Sequence, residues 1–586
     1  MSVNILGISA HFHDSASCVL RDGELIAAAQ EERFSRIKHD AALPAAAARF
    51  CLEAAGLTMA DVDCVAYYEN PARKLDRQLC MVLADLKNLS KRPPPRLDAN
   101  RAERDIRRVL GFHGPIHYSG HHLSHAASAF YYSGFDQAAI LTADGVGEWD
   151  TTSYGAGQGK DVSIFETVAF PDSLGLLYSS ITGFLGFEVN EGEYKVMGLA
   201  SYGSPRLADE VRKLVVTADG GQFRLCEKYF DFNRLDRMFS DELAGLLGHP
   251  PRAPGEPVTE FHRDLARSLQ AVLEEILLEK VHYLHGRVPS ENLCMAGGVA
   301  LNCVANGRIL REGPFRRMFV QPAAGDSGCC LGAAAAAHVE LTGRRPESRA
   351  MSHVFLGPRY SDSDIRPLIS LLPGARDFSA DVDGLLRATA GRLAAGKIVG
   401  WFHGGMEFGP RSLGARSILA DPRAADMQDR VNRLIKKREE FRPFAPAVLE
   451  SEAREHFDLD HPSPFMLETC PVRSRLELPA ITHVDGSARV QTVDEASHPR
   501  FAALLKAFSS LTGCPILLNT SFNMAGDPIV CSPMDAMACF IRSELDSLVL
   551  EDFIVDSDDV PPNFREYFQR LAPSSARISQ SVYTLF

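Results

Sequence analysis

Two histidines four residues apart, His121 and His125 in the run His121-His122-Leu123-Ser124-His125, stand on one face of a helix if the segment is helical. That spacing brings two imidazoles close enough to share one cation. An isolated pair of this kind is equally the incidental product of a helix start, so partners are needed. Asp144 supplies one: it ends an apolar strand in the glycine-flanked turn Ala143-Asp144-Gly145, where a buried carboxylate needs a strong counter-charge. Asp326, in Gly325-Asp326-Ser327-Gly328, is placed alike. Two histidines and two aspartates make a mixed nitrogen and oxygen set that suits Fe(II), Mn(II) or Zn(II). A second reactive element is His13-Asp14, after the first strand. There a histidine beside a carboxylate can act as a general base, although a surface-loop histidine reads the same way.

The second half is chemically different. Arg411 lies in Gly409-Pro410-Arg411-Ser412, and Lys436, Arg438 and Arg442 follow in Lys436-Lys437-Arg438-Glu439-Glu440-Phe441-Arg442-Pro443-Phe444. Guanidinium and ammonium groups beside apolar anchors suit a small, multiply charged anion such as a phosphate-bearing substrate. A solvated charged helix accounts for Lys437 and Glu440, but not for Arg442 between Phe441 and Pro443. Asn519-Thr520-Ser521-Phe522-Asn523 adds amides and hydroxyls after a buried-strand run. The Gly297-Gly298 pair, with Asn302 beyond it, suits a backbone approach to phosphate or adenosine, or simply a tight strand-to-helix turn. No Walker A motif is present, and Gly155-Ala156-Gly157-Gln158-Gly159 lacks the spacing of a dinucleotide fingerprint. Gly325 to Gly328 matches a trypsin-like nucleophile loop in letters only, since the disulfide-rich context is missing.

The elements that must hold these groups repeat. Val3 to Ser9 reads as a strand, followed by a hairpin around Arg21-Asp22-Gly23. The pattern returns as Ala138 to Thr142, the turn at Asp144, and a hairpin from Thr151 to Phe165. The repetition predicts a duplicated α/β domain. Leu43 to Gly56 and Phe261 to Leu284 read as helices, Lys91 to Pro95 as a break, and Thr342 to Ser348 as a linker. The expected domains are residues 1–355 and 356–586, with 557–586 free to pack back on the first.

The chain has 586 residues, 45% of them apolar and 23% charged, which is ordinary for a folded protein. A formal net charge of −13 opposes general attraction to nucleic acid or anionic membranes. No secretory leader or long apolar run is evident, so a cytoplasmic protein is expected. Thirteen cysteines without a C-x-x-C spacing read as reduced core thiols.

Gly7-Ile8-Ser9 through His13-Asp14, Glu31 to His39, His121 to Ala126, Met406 to Arg411 and Asn519 to Asn523 together resemble the NodU/CmcH/TobZ family of O-carbamoyltransferases over nearly the whole chain. The resemblance implies an N-terminal duplicated actin/sugar-kinase-like (ASKHA, TsaD/Kae-like) domain and a C-terminal YrdC-like α/β domain. It implies ATP with Mg²⁺ and carbamoyl phosphate as co-substrates, giving carbamoyl adenylate in the second domain. Arg411, Lys436, Arg442, Arg489 and Asn519 would hold carbamoyl phosphate, and Lys38, Gly297, Gly298, Asn302, Lys436, Arg438, Ser521 and Asn523 the nucleotide. Transfer to a hydroxyl of a small natural product would follow in the first domain, at a metal held by His121, His125, Asp144 and Asp326, Fe(II) first among the candidates, with His13 and Asp14 activating the acceptor. A homodimer is the assembly to test for. Two departures stand out: His403-Gly404-Gly405 replaces an expected Gln-Gly-Arg, and Ser412 an expected alanine. Carbamoylation of tRNA or protein is opposed by the net charge and by the absence of zinc-finger cysteine pairs. A nucleotide-dependent chaperone without transfer activity is opposed by the cluster of anion-binding residues.

Overall fold

The computed structural model describes residues 2–84, 97–233, 237–347, 350–370, 372, 374–436, 439 and 441–571. They divide into two compact units, residues 2–31 with 39–351, and residues 32–38 with 352–571. The break at Lys91 to Pro95, the last residue of the linker, Arg438 and the chain beyond 571 lie outside the described residues. Among those described, no helix is long and apolar enough to cross a membrane.

The first unit is a duplicated α/β structure. Strands β1 (Asn4–Ser9), β2 (Ala16–Arg21), β3 (Glu24–Gln30), β4 (Cys64–Tyr67) and β5 (Ile116–Tyr118) form a sheet in the order β3-β2-β1-β4-β5. The β2–β3 turn is made by Asp22 and Gly23, both at positive φ. Strands β6 (Gln137–Ala143), β7 (Asp150–Gln158) and β8 (Asp161–Ala169) follow. After a short hairpin, β9 (Val215–Thr217) with β10 (Phe223–Leu225), come β11 (Asn292–Ala296) and β12 (Arg317–Val320). Their sheet runs β12-β11-β6-β7-β8, the same plan as the first. In each, the leading strand is antiparallel to a hairpin on one side and parallel to a later strand on the other. The leading strands are almost wholly buried, so their apolar runs serve two faces of a core, as strands covered on both sides must.

Two helices, His121–Phe130 and Cys329–Thr342, pack closely in this unit. A Cβ at Gly332 would lie 1.7 Å from Ser124 O, so only glycine permits this approach. Cys329–Thr342 is alanine-rich, and its first half is wholly buried.

The second unit is built on one mixed sheet. Its strands are β13 (Arg376–Asp377), β14 (Val399–Phe402), β15 (Arg416–Ala420), β16 (Ala445–Leu449), β19 (Gln491–Val493), β20 (Ile516–Ser521), β21 (Ser547–Leu550) and β22 (Phe553–Asp556). A separate pair, β17 (Cys470–Pro471) with β18 (Ser487–Ala488), lies outside it. The sheet order is β13-β22-β21-β14-β15-β20-β16-β19. The short segment 32–38 belongs to this unit: Arg33 donates to Gly409 O, Arg36 to the carbonyls of Pro528 and Ile529, and Phe34 packs on Met406, Ile529 and Cys531. All thirteen cysteines are free thiols and most are buried.

Candidate functional site

Strand β6 delivers Asp144 at its carboxyl end, the helix from His121 presents His121 and His125 one turn apart, and a short 3₁₀ turn presents Asp326. The four side chains converge. His121 Nε2 lies 3.3 Å from Asp144 Oδ2 and 3.8 Å from Asp326 Oδ1, and His125 Nε2 lies 3.7 Å from each. Donors placed tetrahedrally about an ion at ~2.1 Å stand about 3.4 Å apart, so these separations leave room for a cation. All four residues are buried. Both ring nitrogens of His125, Nδ1 of His121 and both oxygens of Asp326 have no hydrogen-bond partner. Buried polar atoms are rarely left so, and a divalent cation among the four side chains would satisfy those that face it, His125 Nε2 and the Asp326 carboxylate.

Electrostatics agree. Burial opposes charge on both partners, yet neighbouring Cys329 and the carboxylates of Asp144 and Asp326 hold His125 well above the ordinary histidine range. Asp144, against its burial, is held well below the carboxylate range by His121 and His125. Without a cation the cluster balances itself with protons, and a metal would displace them. Around it, Asp144 Oδ1 accepts from Gly298 N at 2.8 Å, and Glu148 Oε1 accepts from His121 N at 3.2 Å and Asn70 N at 2.5 Å. Gly297 sits at φ +94°, where a Cβ would meet Ala143 O at 2.2 Å. The glycine pair thus presses against the end of β6 and supports the metal-site carboxylate. Asn302 caps the following helix by accepting from Ala305 N and bonds to Gln270.

His13 and Asp14 lie in the loop after β1, in which His11 and Asp14 have positive φ. His13 Nδ1 is 2.9 Å from Asp14 Oδ2, and Asp14 Oδ1 is 2.6 Å from His39 Nδ1, whose Nε2 is 3.4 Å from Glu191. A chain of imidazole, carboxylate, imidazole and carboxylate results. Burial alone would lower His13, but the charges of Asp326, Asp14 and Asp144 override it and take the imidazole up to about 9. A cation bound among those carboxylates would offset that rise and return His13 toward a base. His39 and Glu148 were not singled out from sequence, because neither has a neighbour along the chain that signals its partner.

In the second unit the anion candidates gather at one end of the sheet. Arg411 precedes β15, Arg442 precedes β16 and Arg489 precedes β19, while Asn519, Ser521 and Asn523 lie at or beyond the carboxyl end of β20. The pairings Asn519↔Ala445, Asn519↔Leu419 and Ala447↔Gln491 put these termini together. Arg442 is 3.5 Å from Glu439, and its carbonyl accepts from Asn432. Arg489 is half-buried with no ion-pair partner among the described residues. Asn519 Nδ2 donates to Gln491 Oε1 at 2.7 Å, and Gln491 donates to Leu413 O, tying strand to loop. Ser521 donates to Asn523 Oδ1 at 2.7 Å, and Asn523 to Asp527 O. Lys38 is half-buried in the inserted segment. The backbone of Lys436 is in a π-helical turn, and Arg438 is outside the described residues.

The loop carrying Arg411 is organised by Glu407, whose Oε1 accepts from the backbone N–H of Leu413, Ala415 and Arg416 at 2.7, 2.8 and 3.1 Å. His403, at the departure from the expected Gln-Gly-Arg, pairs with Glu551 at 2.5 Å. Arg500, not anticipated from sequence, lies 3.3 Å from His403 and bonds Asp552. A positive charge therefore stands beside His403 from another part of the chain.

Comparison with known proteins adds the chemistry. The profile described as "Carbamoyltransferase N-terminus" matches residues 4–335, and "Carbamoyltransferase C-terminus" matches residues 390–557. An uncharacterized protein of Synechocystis sp. is 44% identical over 594 aligned residues, covering 94% of this chain and 96% of its own. Nodulation protein NolNO of Sinorhizobium fredii is 41% identical, covering 96% of this chain and 81% of its own. The 3'-hydroxymethylcephem-O-carbamoyltransferase of Streptomyces clavuligerus is 36% identical over 48% of this chain and 52% of its own.

Proposed function

Because this chain belongs to the carbamoyltransferase family, we propose that it moves a carbamoyl group onto a hydroxyl of a small acceptor in two stages, one in each unit. The observation that carries the reading is the division of labour: a buried four-donor cluster and the His13–Asp14 pair in one unit, and arginines and amides placed by strand register at one sheet end in the other. The hydroxyl acceptor is taken from the cephem relative's name and from the suitability of His13 as a base.

In the second unit Arg411, Lys436, Arg442, Arg489 and Asn519 would hold carbamoyl phosphate, with Lys38, Lys436, Arg438, Ser521 and Asn523 against ATP. This assigns a YrdC-like role to the unit. Water displaces phosphate at the carbamoyl carbon to give carbamate, whose oxygen attacks the α-phosphorus of ATP as pyrophosphate departs, leaving carbamoyl adenylate. Carbamate itself is a poor electrophile, and adenylation supplies the leaving group. In the first unit, of ASKHA type in this reading, His13 takes the acceptor hydroxyl proton while Asp14 and His39 hold the ring and stabilise its charge. The acceptor oxygen bonds to the carbamoyl carbon as AMP leaves. His121, His125, Asp144 and Asp326 would hold a divalent ion, Fe(II) first, with Mn(II) or Zn(II) as alternatives. When bound, it supplies Lewis-acid stabilisation of the charge that develops on the carbonyl oxygen. Gly297 and Gly298 press on the end of β6 and support Asp144, Asn302 caps the helix that follows, and the three would also face the nucleotide.

The test uses ATP, Mg²⁺ and carbamoyl phosphate without acceptor. Pyrophosphate and AMP that depend on carbamoyl phosphate are expected. ADP release indifferent to it would favour a kinase-like or chaperone activity and refute the reading. Arg442→Ala should abolish pyrophosphate release, whereas His121→Ala should spare it and abolish transfer. Loss of the same half-reaction in both would refute the assignment of one stage to each unit.

A further inference from the structure

Cys329, the first residue of its helix and fully buried, has a sulfur within 4.8 Å of one ring nitrogen each of His121 and His125. It differs from its neighbours. Cys330 Sγ donates to Ser327 O at 3.1 Å and Cys18 Sγ to Cys330 O at 3.3 Å, each satisfied by backbone, whereas the Cys329 thiol lies beside the His121 and His125 rings. His125 is itself fully buried, with neither ring nitrogen hydrogen-bonded. The close approach at Gly332 fixes the two helices and so fixes thiol against imidazole.

We propose that Cys329 is a further metal donor, giving two overlapping donor sets that share His121 and His125: a hard one completed by Asp144 and Asp326, and a soft one completed by the Cys329 sulfur. The inference rests on the cation site proposed above and extends it to a choice of metal. A hard ion such as Mn(II) takes the carboxylate side, and a strongly thiophilic ion such as Cd(II) takes the sulfur side. In the second case the S–H bond breaks, its proton passes to solvent, and a sulfur–metal bond forms. A thiophilic ion held there competes for the histidines that the carboxylate side needs, so the same protein takes up Mn(II) and Cd(II) by different residues.

The experiment titrates the metal-free full chain, in a Cys80→Ser background because Cys80 is exposed, with Cd(II) and separately with Mn(II). Thiolate-to-cadmium ultraviolet absorption is the readout for sulfur, and competition with a chelating indicator gives affinity. Expected are one equivalent of Cd(II) with a charge-transfer band that disappears in Cys329→Ser and in His125→Ala. Cd(II) affinity should fall by on the order of tenfold or more in Cys329→Ser while Mn(II) affinity holds; Asp326→Asn should weaken Mn(II) more than Cd(II). Cys329→Ala repeats the test without a hydroxyl, and Cys330→Ala, an equally buried thiol, should leave the band intact. Cd(II) bound without that band, or a band that survives Cys329 substitution, overturns this proposal alone. Uptake of neither ion overturns the cation site and this proposal with it.

Discussion

Glu407 is 4% exposed and its Oε1 accepts three backbone N–H groups of the loop that carries Arg411. Glu407→Ala orphans all three donors. An unsatisfied buried donor costs about 1–3 kcal/mol, so three of them cost about 3–9 kcal/mol, the lower figure applying where water enters beside the exposed Pro410. A second loss adds to it. Arg416 is fully buried, its guanidinium lies 3.6 Å from the Phe402 ring centroid and donates only to carbonyls, and the Glu407 charge, ahead of Glu551, offsets its burial. Glu407→Gln keeps an acceptor but removes that charge, and should cost about half as much. Trp401 reports on this loop directly, because its indole N–H donates to Gly414 O at 2.9 Å. The only other tryptophan is Trp149, in the first unit, so Trp149→Phe isolates the Trp401 signal. Urea unfolding followed by Trp401 emission then measures the loss, and carbamoyl-phosphate-dependent pyrophosphate release measures the effect on Arg411. A Glu407→Ala loss under about 1 kcal/mol would show that the three hydrogen bonds do not organise the loop and would refute the reasoning.

Other expectations are equally direct. Saturating the first unit with Mn(II) at about 100 times its Kd should raise stability by about 2.7 kcal/mol, reversed by a chelator; the Asp326→Asn protein should show little of the shift. Asp556 is partly buried, which opposes its charge, yet Arg392, Ser547 and Arg376 hold it below the carboxylate range. Its contribution is therefore present above the unfolded value near 4 and lost as pH falls through the folded value. Asp556→Asn should cost about 2 kcal/mol at pH 7, with the gap from the parent narrowing below about pH 4 in acid titrations of unfolding. Gly297→Ala should cost more than 2 kcal/mol by urea unfolding and weaken Mn(II) binding, since the methyl meets Ala143 O beside Asp144.

What could be read from the residues alone follows from how far each signal reaches. His121 and His125 announce themselves because helix geometry fixes the distance between positions four apart, and Asp144 and Asp326 because glycine-flanked strand ends seldom bury a carboxylate without a partner. The repeat of strand, turn and hairpin was legible for the same local reason and is realised as two sheets of one plan. Partners brought in by the fold leave no such trace. His39 reaches Asp14 across 25 residues, Glu148 reaches Asn70 across 78, and Arg500 reaches His403 across 97. The Gly297-Gly298 pair shows the limit most clearly: paired glycines signal that something comes close to the backbone, but not what, and here Ala143 and the Asp144 carboxylate do so. Cys329 is silent in sequence because a thiol at the head of an alanine-rich helix looks like core, and only packing against His125 gives it a donor's position. The residues on which the proposed chemistry rests are thus legible locally, whereas the side chains packed against them, His39, Arg500 and Cys329, are placed there by segments far apart along the chain.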